Sequence, residues 1–266
     1  MGESTRMVAP AQSITSPVYN VPAKLLDRYR GRDVIVRSSS PRELVECLRD
    51  ADLALVRFMQ LSSTLEDTSC LENFGPGIPL DIVLENPAQY QQLYSYSSLL
   101  DSHPVRITIP PVSGFSKAVK LAISLRYAVK LEVQQPDEDL LTELESVLDL
   151  YLHLNSVNQP IEFFHSVLLS FYRNEPVSLW EITETDPASV LYVHEDGSVA
   201  TLDLNTETHE CHECEFRDRC HGYFKFPDRN YNCDGVKHIF RTLANAADEV
   251  RQDLESFKAM GAGGNS

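Results

Sequence analysis

The sequence predicts an α/β chain: a largely parallel sheet covered by helices, either open or curved into part of a barrel, then a hairpin, a cysteine-rich loop and a long C-terminal helix. Three observations predict it. Short apolar runs alternate with helix-period segments over residues 21–186, and strands separated by helices favour parallel pairing through crossover connections. Two β-rich runs flank Asp196–Gly197, a dipeptide suited to a tight hairpin turn. Four of the six cysteines follow, at 211, 214, 220 and 233, and beyond them apolar residues recur at spacings of three and four, the period of one helix face.

Residues 1–20 are rich in Ser, Pro and Thr with little periodicity, so they are expected to form an unpacked tail. Strands are expected at 33–37, 53–58, 80–84, 105–109 and 129–133, where β-branched and apolar residues cluster. Helices are expected between them at 41–50, 87–100, 115–126 and 137–154. The first of these opens with Ser40 as a candidate N-cap and Pro41 at the first helical position. The acidic run Asp137, Glu138 and Asp139 reads as a solvated helix start favoured by the dipole, not as a metal cage. A closed eight-stranded barrel is not expected, since such domains need roughly 250 residues and the chain changes character near Pro187. A hairpin is expected over 189–204. Val236, Ile239, Phe240, Leu243, Ala247, Val250, Leu254 and Phe257 then form the apolar stripe of a helix of about 24 residues. The expected plan is a disordered tail over 1–20, a barrel-like domain over 21–186, a cysteine domain over 187–260 and a flexible tail over 261–266.

With 39 Asp and Glu against 23 Lys and Arg, the net charge is −16, which excludes a strongly basic nucleic-acid binder. The 42% hydrophobic content suffices for a sizeable core. No run approaches the roughly 18 apolar residues of a membrane span, and the first residues lack the apolar stretch of a signal peptide. The expectation is a cytoplasmic protein with no membrane and no nucleic-acid partner. In that compartment thiols stay reduced, so a cluster of cysteines points to metal rather than to disulfides.

The informative passage is Cys211-His-Glu-Cys214, then Cys220 after five residues and Cys233 after twelve more. A C-x2-C pair lets one tight turn offer two thiolates to one centre, and two further cysteines complete the four ligands of a cubane or a structural zinc. The gaps of two, five and twelve residues suit a wider object than a single ion. His209, His212 and His221 stay secondary, as neighbours rather than ligands. Within the loop, Gly222 to Pro227 is aromatic and basic. Lys225 is a candidate contact to a partner, with packing around the metal as the other reading. Cys47 lies between Leu44 and Leu48 on an expected helix and reads as a small buried hydrophobe; Cys70 reads as a loop thiol.

This pattern, C-x2-C-x5-C after a hairpin with Asp-Gly at its turn and before a single later cysteine and a helix, resembles the C-terminal SPASM domain of radical SAM peptide-modifying enzymes. The resemblance is carried by residues 189–243. It implies one [4Fe-4S] cluster on Cys211, Cys214, Cys220 and Cys233, with zinc as the alternative. The family's first auxiliary cluster needs further cysteines; Phe224 stands where one of them would be, which implies that this first cluster is absent and only the second set of ligands is kept. For the preceding part the resemblance implies a partial (β/α)6 barrel. Radical SAM enzymes bind their catalytic cluster through C-x3-C-x2-C after the first barrel strand, and here only Cys47 and Cys70 precede residue 211. What the resemblance then implies is an accessory protein. Its partners would be a true radical SAM/SPASM enzyme and its ribosomally made precursor peptide, and its part docking, substrate presentation or electron relay.

A structural interaction scaffold held by zinc or Fe-S is the alternative. A lesser one is a nuclease, because C-x2-C-x5-C with Phe-Arg-Asp also resembles the cluster loop of CRISPR-associated and RecB-like nucleases. Their Mg²⁺ site needs Glu-x-Lys on a strand, and none precedes the cysteines. No G-x-G-x-x-G, P-loop or G-x-S-x-G pattern occurs either.

Overall fold

A computed structural model of the chain describes residues 16–62, 66–201, 204 and 206–262, with side chains as far as Phe257. Its strands are β1 (Val18–Pro22), β2 (Val34–Ser38), β3 (Val56–Ser62), β4 (Leu80–Val83), β5 (Val105–Ile109), β6 (Ala128–Leu131), β7 (Ile161–Glu162) and β8 (Val190–Tyr192). They form one eight-stranded sheet in the order β7-β6-β5-β4-β3-β2-β1-β8. Every neighbouring pair is parallel. That order runs round the sequence of a barrel and stops one pairing short, between β7 and β8. The α/β class and the partial barrel are therefore as the sequence predicts, with eight strands in place of six.

The helices are α1 (Pro41–Leu48), α2 (Ser69–Glu72), α3 (Phe115–Ser124), α4 (Glu138–His153), α5 (Phe164–Arg173), α6 (Leu179–Ile182), α7 (His209–His212), α8 (Arg217–Cys220) and α9 (Asp234–Ala262). Asp137 caps α4 by accepting from the Leu140 N–H at 2.9 Å, and its acidic neighbours are exposed. Glu143 on α4 in turn accepts from the N–H groups of Gly114 at 2.7 Å and Ser116 at 3.2 Å, which serves the open N-terminus of α3. Pro41 sits at the first position of α1, but Ser40 does not cap it with its side chain: the hydroxyl donates to Glu66 at 3.0 Å.

Several expectations are corrected. The sheet begins at Val18, inside the expected tail; residues 1–15 lie outside those described. Residues 53–55 form a 3-10 turn, and β3 starts at Val56. Residues 87–101 form a 3-10 segment with a non-helical Gln89 rather than an α-helix. Cys70 lies on α2, not in a loop. Most consequentially, the first arm of the expected hairpin is β8, paired in parallel with β1 through Val18 and Val190. The antiparallel pairing is short among the described residues: a Val193–Val199 bridge, with the Ala200 N–H donating to the Tyr192 carbonyl at 2.8 Å and the His194 N–H to the Ser198 carbonyl at 2.7 Å. Leu202, Asp203 and Asn205 of the expected second arm lie outside them.

Alternation along the strands separates two faces. Met59, Leu61, Leu80, Ile82, Ile107, Ile109, Val129 and Leu131 are buried in the apolar core with the helices. The other face carries polar groups bonded to one another: Arg37, Asn20, Gln60, Asp81, Arg106, Thr108 and Lys130. Glu184, just beyond α6 and with a left-handed φ of 61°, closes this ribbon. It accepts from Arg106 at 2.8 and 3.0 Å and from Lys130 at 3.0 Å.

Candidate metal centre

Four short pieces of chain place the four cysteines. Cys211 lies in α7, Cys214 immediately after it, Cys220 at the end of α8 and Cys233 immediately before α9. The single turn of α7 closes with the Cys214 N–H donating to the Cys211 carbonyl at 3.2 Å, and α8 with the Cys220 N–H donating to the Phe216 carbonyl at 2.9 Å. Two left-handed residues, His221 (φ 47°) and Gly222 (φ 72°), then reverse the chain. The reversal brings the N–H groups of Tyr223 and Phe224 to the Cys220 sulfur.

Cys211, Cys214, Cys220 and Cys233 line one small cavity. Phe216, Phe224, Val236 and Phe240 give it apolar walls, and Glu210, Lys225 and Lys237 stand in its lining. Phe224 is fully buried, so the position where an extra cysteine would be is part of the apolar wall. All six cysteines are free thiols. Burial pushes the Cys220 thiol up to about 12 and the Cys233 thiol up to about 11, against which the lysine charges pull Cys233 down. Among the described residues, no three His, Cys, Asp or Glu side chains are grouped to hold a single metal ion. His209, His212 and His221 are exposed and do not line the cavity.

Lys225 is not a free contact. It is 4% exposed, and its ammonium donates to Glu210 and to the Tyr231 carbonyl, each at 2.7 Å. Lys237 donates to the other oxygen of Glu210, also at 2.7 Å. Hydrogen bonds from Lys225 and Lys237 hold the Glu210 carboxyl at about 2. Sequence reasoning singled out neither Glu210 nor Lys237. A signal for Lys237 existed: it lies four residues after Cys233, one turn along the start of α9.

The loop is tied to the sheet. Gln135, beyond β6, donates to the carbonyls of Phe224 at 3.1 Å and Asp228 at 2.7 Å, and Tyr231 donates to the Pro136 carbonyl at 2.7 Å. Cys47 on α1 and Cys70 on α2 do not line the cavity. Cys47 donates to the Leu44 carbonyl at 3.3 Å, and burial pushes its thiol up to about 11, the state of an inert half-buried residue. The segment after β1, residues 23–33, contains no cysteine. No described helix is long and apolar enough to cross a membrane.

No family model matches the chain, and no curated protein matches its sequence. Among solved structures, one described as "Native anSMEcpe with bound AdoMet" aligns with 86% of this chain and 88% of its own, at 14% identity and a TM-score of 0.51. At that identity the likeness is one of fold, and it agrees with the parallel, nearly closed sheet. The chain shares the fold of that AdoMet-bound structure, a parallel α/β sheet that stops just short of closing.

Proposed function

We propose that this protein is an accessory subunit that carries one [4Fe-4S] cluster on Cys211, Cys214, Cys220 and Cys233 and assists a partner radical SAM enzyme in maturing a ribosomally made peptide. The observation that carries the reading is the meeting of these four thiols around one cavity on a fold shared with an AdoMet-bound structure. A mononuclear zinc needs its thiolates about 2.3 Å from one point, so the sulfurs would lie within about 3.8 Å of each other. Gaps of two, five and twelve residues between cysteines that line one cavity suit a larger object than a single ion. Lys225 and Lys237 supply positive charge to a centre whose thiolates and core are together anionic. When bound, such a cluster would supply one-electron transfer.

The residues of the barrel support a non-catalytic role for the chain by itself. No cysteine lies between β1 and β2 to hold a catalytic cluster, and the polar face of the sheet is engaged by the chain's own Glu184. The test is anaerobic purification with iron, sulfide and zinc analysis, and EPR before and after dithionite. The expected result is about four iron and four sulfide per chain, with a signal on reduction that Cys211→Ala abolishes. One zinc and no sulfide in protein kept from air would overturn the cluster and leave a structural scaffold. Failure to co-purify with any radical SAM enzyme encoded beside it would overturn the accessory role.

A further inference from the structure

Segment 177–184 is held between the cysteine loops and the barrel. On one side it meets three residues that bracket Cys220. The Val177 N–H donates to the Asp218 carbonyl at 3.3 Å, the Trp180 Nε1–H donates to the His221 carbonyl at 3.0 Å, and the Tyr223 side chain hydrogen-bonds with Thr183. On the other side Lys130 donates to the Thr183 carbonyl at 3.4 Å, and Arg106 and Lys130 donate to Glu184. Trp180 is 4% exposed, with its ring 4.8 Å from Tyr223 and 5.8 Å from Phe226, centroid to centroid. Its indole N–H therefore sits on a short helix fixed to the sheet and bonds to the peptide at which the chain reverses.

That peptide needs holding. His221 has φ 47° and ψ 40°, a left-handed conformation that is costly for a residue with a Cβ. Its own N–H is bonded to the Arg217 carbonyl at 2.9 Å as α8 ends. The ψ angle sets where a residue's carbonyl points, so a donor bonded to the His221 carbonyl fixes that angle. With it is fixed the course of Gly222, Tyr223 and Phe224, and the N–H groups of Tyr223 and Phe224 lie on the Cys220 sulfur.

We propose that Trp180 is a positioning residue for the metal centre: by holding the His221 carbonyl it keeps the Tyr223 and Phe224 N–H groups on the Cys220 sulfur, and those bonds raise the potential of the centre. Hydrogen bonds to a ligand sulfur offset its negative charge and so favour the more reduced state of an Fe-S centre. Trp180 acts through His221 and does not itself line the cysteine cavity. The effect on the potential rests on the cluster reading above, whereas the hold on the Tyr223 and Phe224 N–H groups does not. Phenylalanine at this position would keep an aromatic ring against Tyr223 but has no N–H, so the bond can be tested apart from the packing.

The test uses the full chain in two forms. In iron-free protein labelled with nitrogen-15, Trp180→Phe is expected to exchange the Tyr223 and Phe224 amide hydrogens about tenfold faster than the parent, with the amides of α4 and α9 unchanged. Equal exchange at 223 and 224 would overturn the proposal. A general acceleration that includes Leu148 and Leu243 would overturn it too, by showing loss of packing alone. In protein loaded anaerobically to the parent's iron content, a potentiometric EPR titration should show the ratio of reduced to oxidised centre at the parent's midpoint falling about tenfold, which is about 59 mV for one electron; an unchanged potential would overturn the proposal. Trp180 is the single tryptophan, so tryptophan can also be replaced throughout the chain by benzothienylalanine, which keeps the bicyclic shape with sulfur in place of the N–H. The analogue should reproduce both changes, and it decides the matter if Trp180→Phe fails to fold. Parent-like exchange and potential in the analogue would assign any effect of Trp180→Phe to packing and overturn the proposal. A chain that takes up no cluster yet shows the faster exchange overturns the cluster and leaves the hold of Trp180 on the loop standing; a loaded cluster with parent-like exchange does the reverse.

Discussion

Lys225 and Lys237 place two ammonium groups beside the four thiols, and the single carboxylate of Glu210 holds both at 2.7 Å. Fixed cations near an Fe-S centre favour its more negative, reduced state, because burial and nearby charge set the potential. In the iron-loaded protein, Lys225→Met should lower the midpoint potential by on the order of tens of millivolts in a potentiometric EPR titration; an unchanged potential would leave Lys225 as packing only. The same arithmetic of charge and burial operates in the sheet at Asp81. Its carboxylate is fully buried and accepts from Arg106 at 2.9 and 3.2 Å, Thr108 at 2.7 Å and Gln60 at 3.0 Å. Burial alone would raise its pKa, but Arg106, with Lys130 and Thr108, outweighs burial and holds it below the ordinary value. A carboxylate depressed in the folded state contributes stability above its unfolded pKa of about 3.9, and that contribution is lost as the pH falls through the folded value. Denaturant titrations should therefore show stability falling below about pH 4. Asp81→Asn should cost about 1–3 kcal/mol at neutral pH, because Arg106 loses one of its two carboxylate partners and keeps only Glu184, and should flatten the acid limb. None of this was legible beforehand. Asp81, Arg106 and Lys130 are 25 and 24 positions apart in sequence, and only the register of β4, β5 and β6 brings them together, with Asp81 beside Arg106 and Lys130 beside Thr108.

The loop that presents Cys220 depends on backbone that only glycine adopts easily. Gly222 has φ +72°, and a Cβ there would meet the Thr206 hydroxyl oxygen at 2.7 Å and the Glu207 nitrogen at 3.0 Å. Gly222→Ala should therefore push the Tyr223 and Phe224 N–H groups off the Cys220 sulfur and lower iron per chain in anaerobically purified protein. Gly197→Ala serves as the control: its φ is +89°, but its nearest neighbour is the end of the flexible Arg28 side chain. It should strain its own turn and leave iron content unchanged. The elements that the sequence disclosed are those whose local signals agree with the fold, such as β5 and the Asp137-capped α4. Those it concealed fail for identifiable reasons. β7 has two residues, too few for any period to register. The segment 87–101 has helical spacing, but Ser95 and Ser97 donate to the carbonyls of Gln92 at 2.6 Å and Tyr94 at 2.9 Å, three residues back. Such local bonds compete with the α ladder and accompany its tightening to 3-10. The dipeptide Asp196–Gly197 does turn the chain, with the Gly197 N–H donating to the His194 carbonyl at 2.9 Å. A turn signal alone could not say that the preceding strand would pair with β1.

Aromatic rings join the sheet to the cysteine loops. Phe163, between β7 and α5, lies 6.3 Å from Phe224 and 6.5 Å from Phe240, centroid to centroid, and Phe240 lies 5.2 Å from Phe216. Trp180 on α6 packs at 4.8 Å from Tyr223 and donates to the His221 carbonyl at 3.0 Å. Phe163 directly follows β7, an end strand of the sheet, so the cysteine loops share the core of the barrel through that edge. The cysteines themselves were legible in sequence as a set; their connection to the barrel was not, because it runs through aromatic residues with no spacing rule of their own. A shared core predicts shared unfolding. Trp180 is the single tryptophan, so its fluorescence reports the junction while far-UV circular dichroism reports the helices and sheet. The two probes should give coincident transitions. Phe240→Ala removes a ring from the centre of the junction and should cost about 3–5 kcal/mol, lowering the melting temperature of both probes together by roughly 5–20 °C. Two separated transitions, with only the fluorescence one shifted, would show instead that the cysteine loops unfold independently of the barrel.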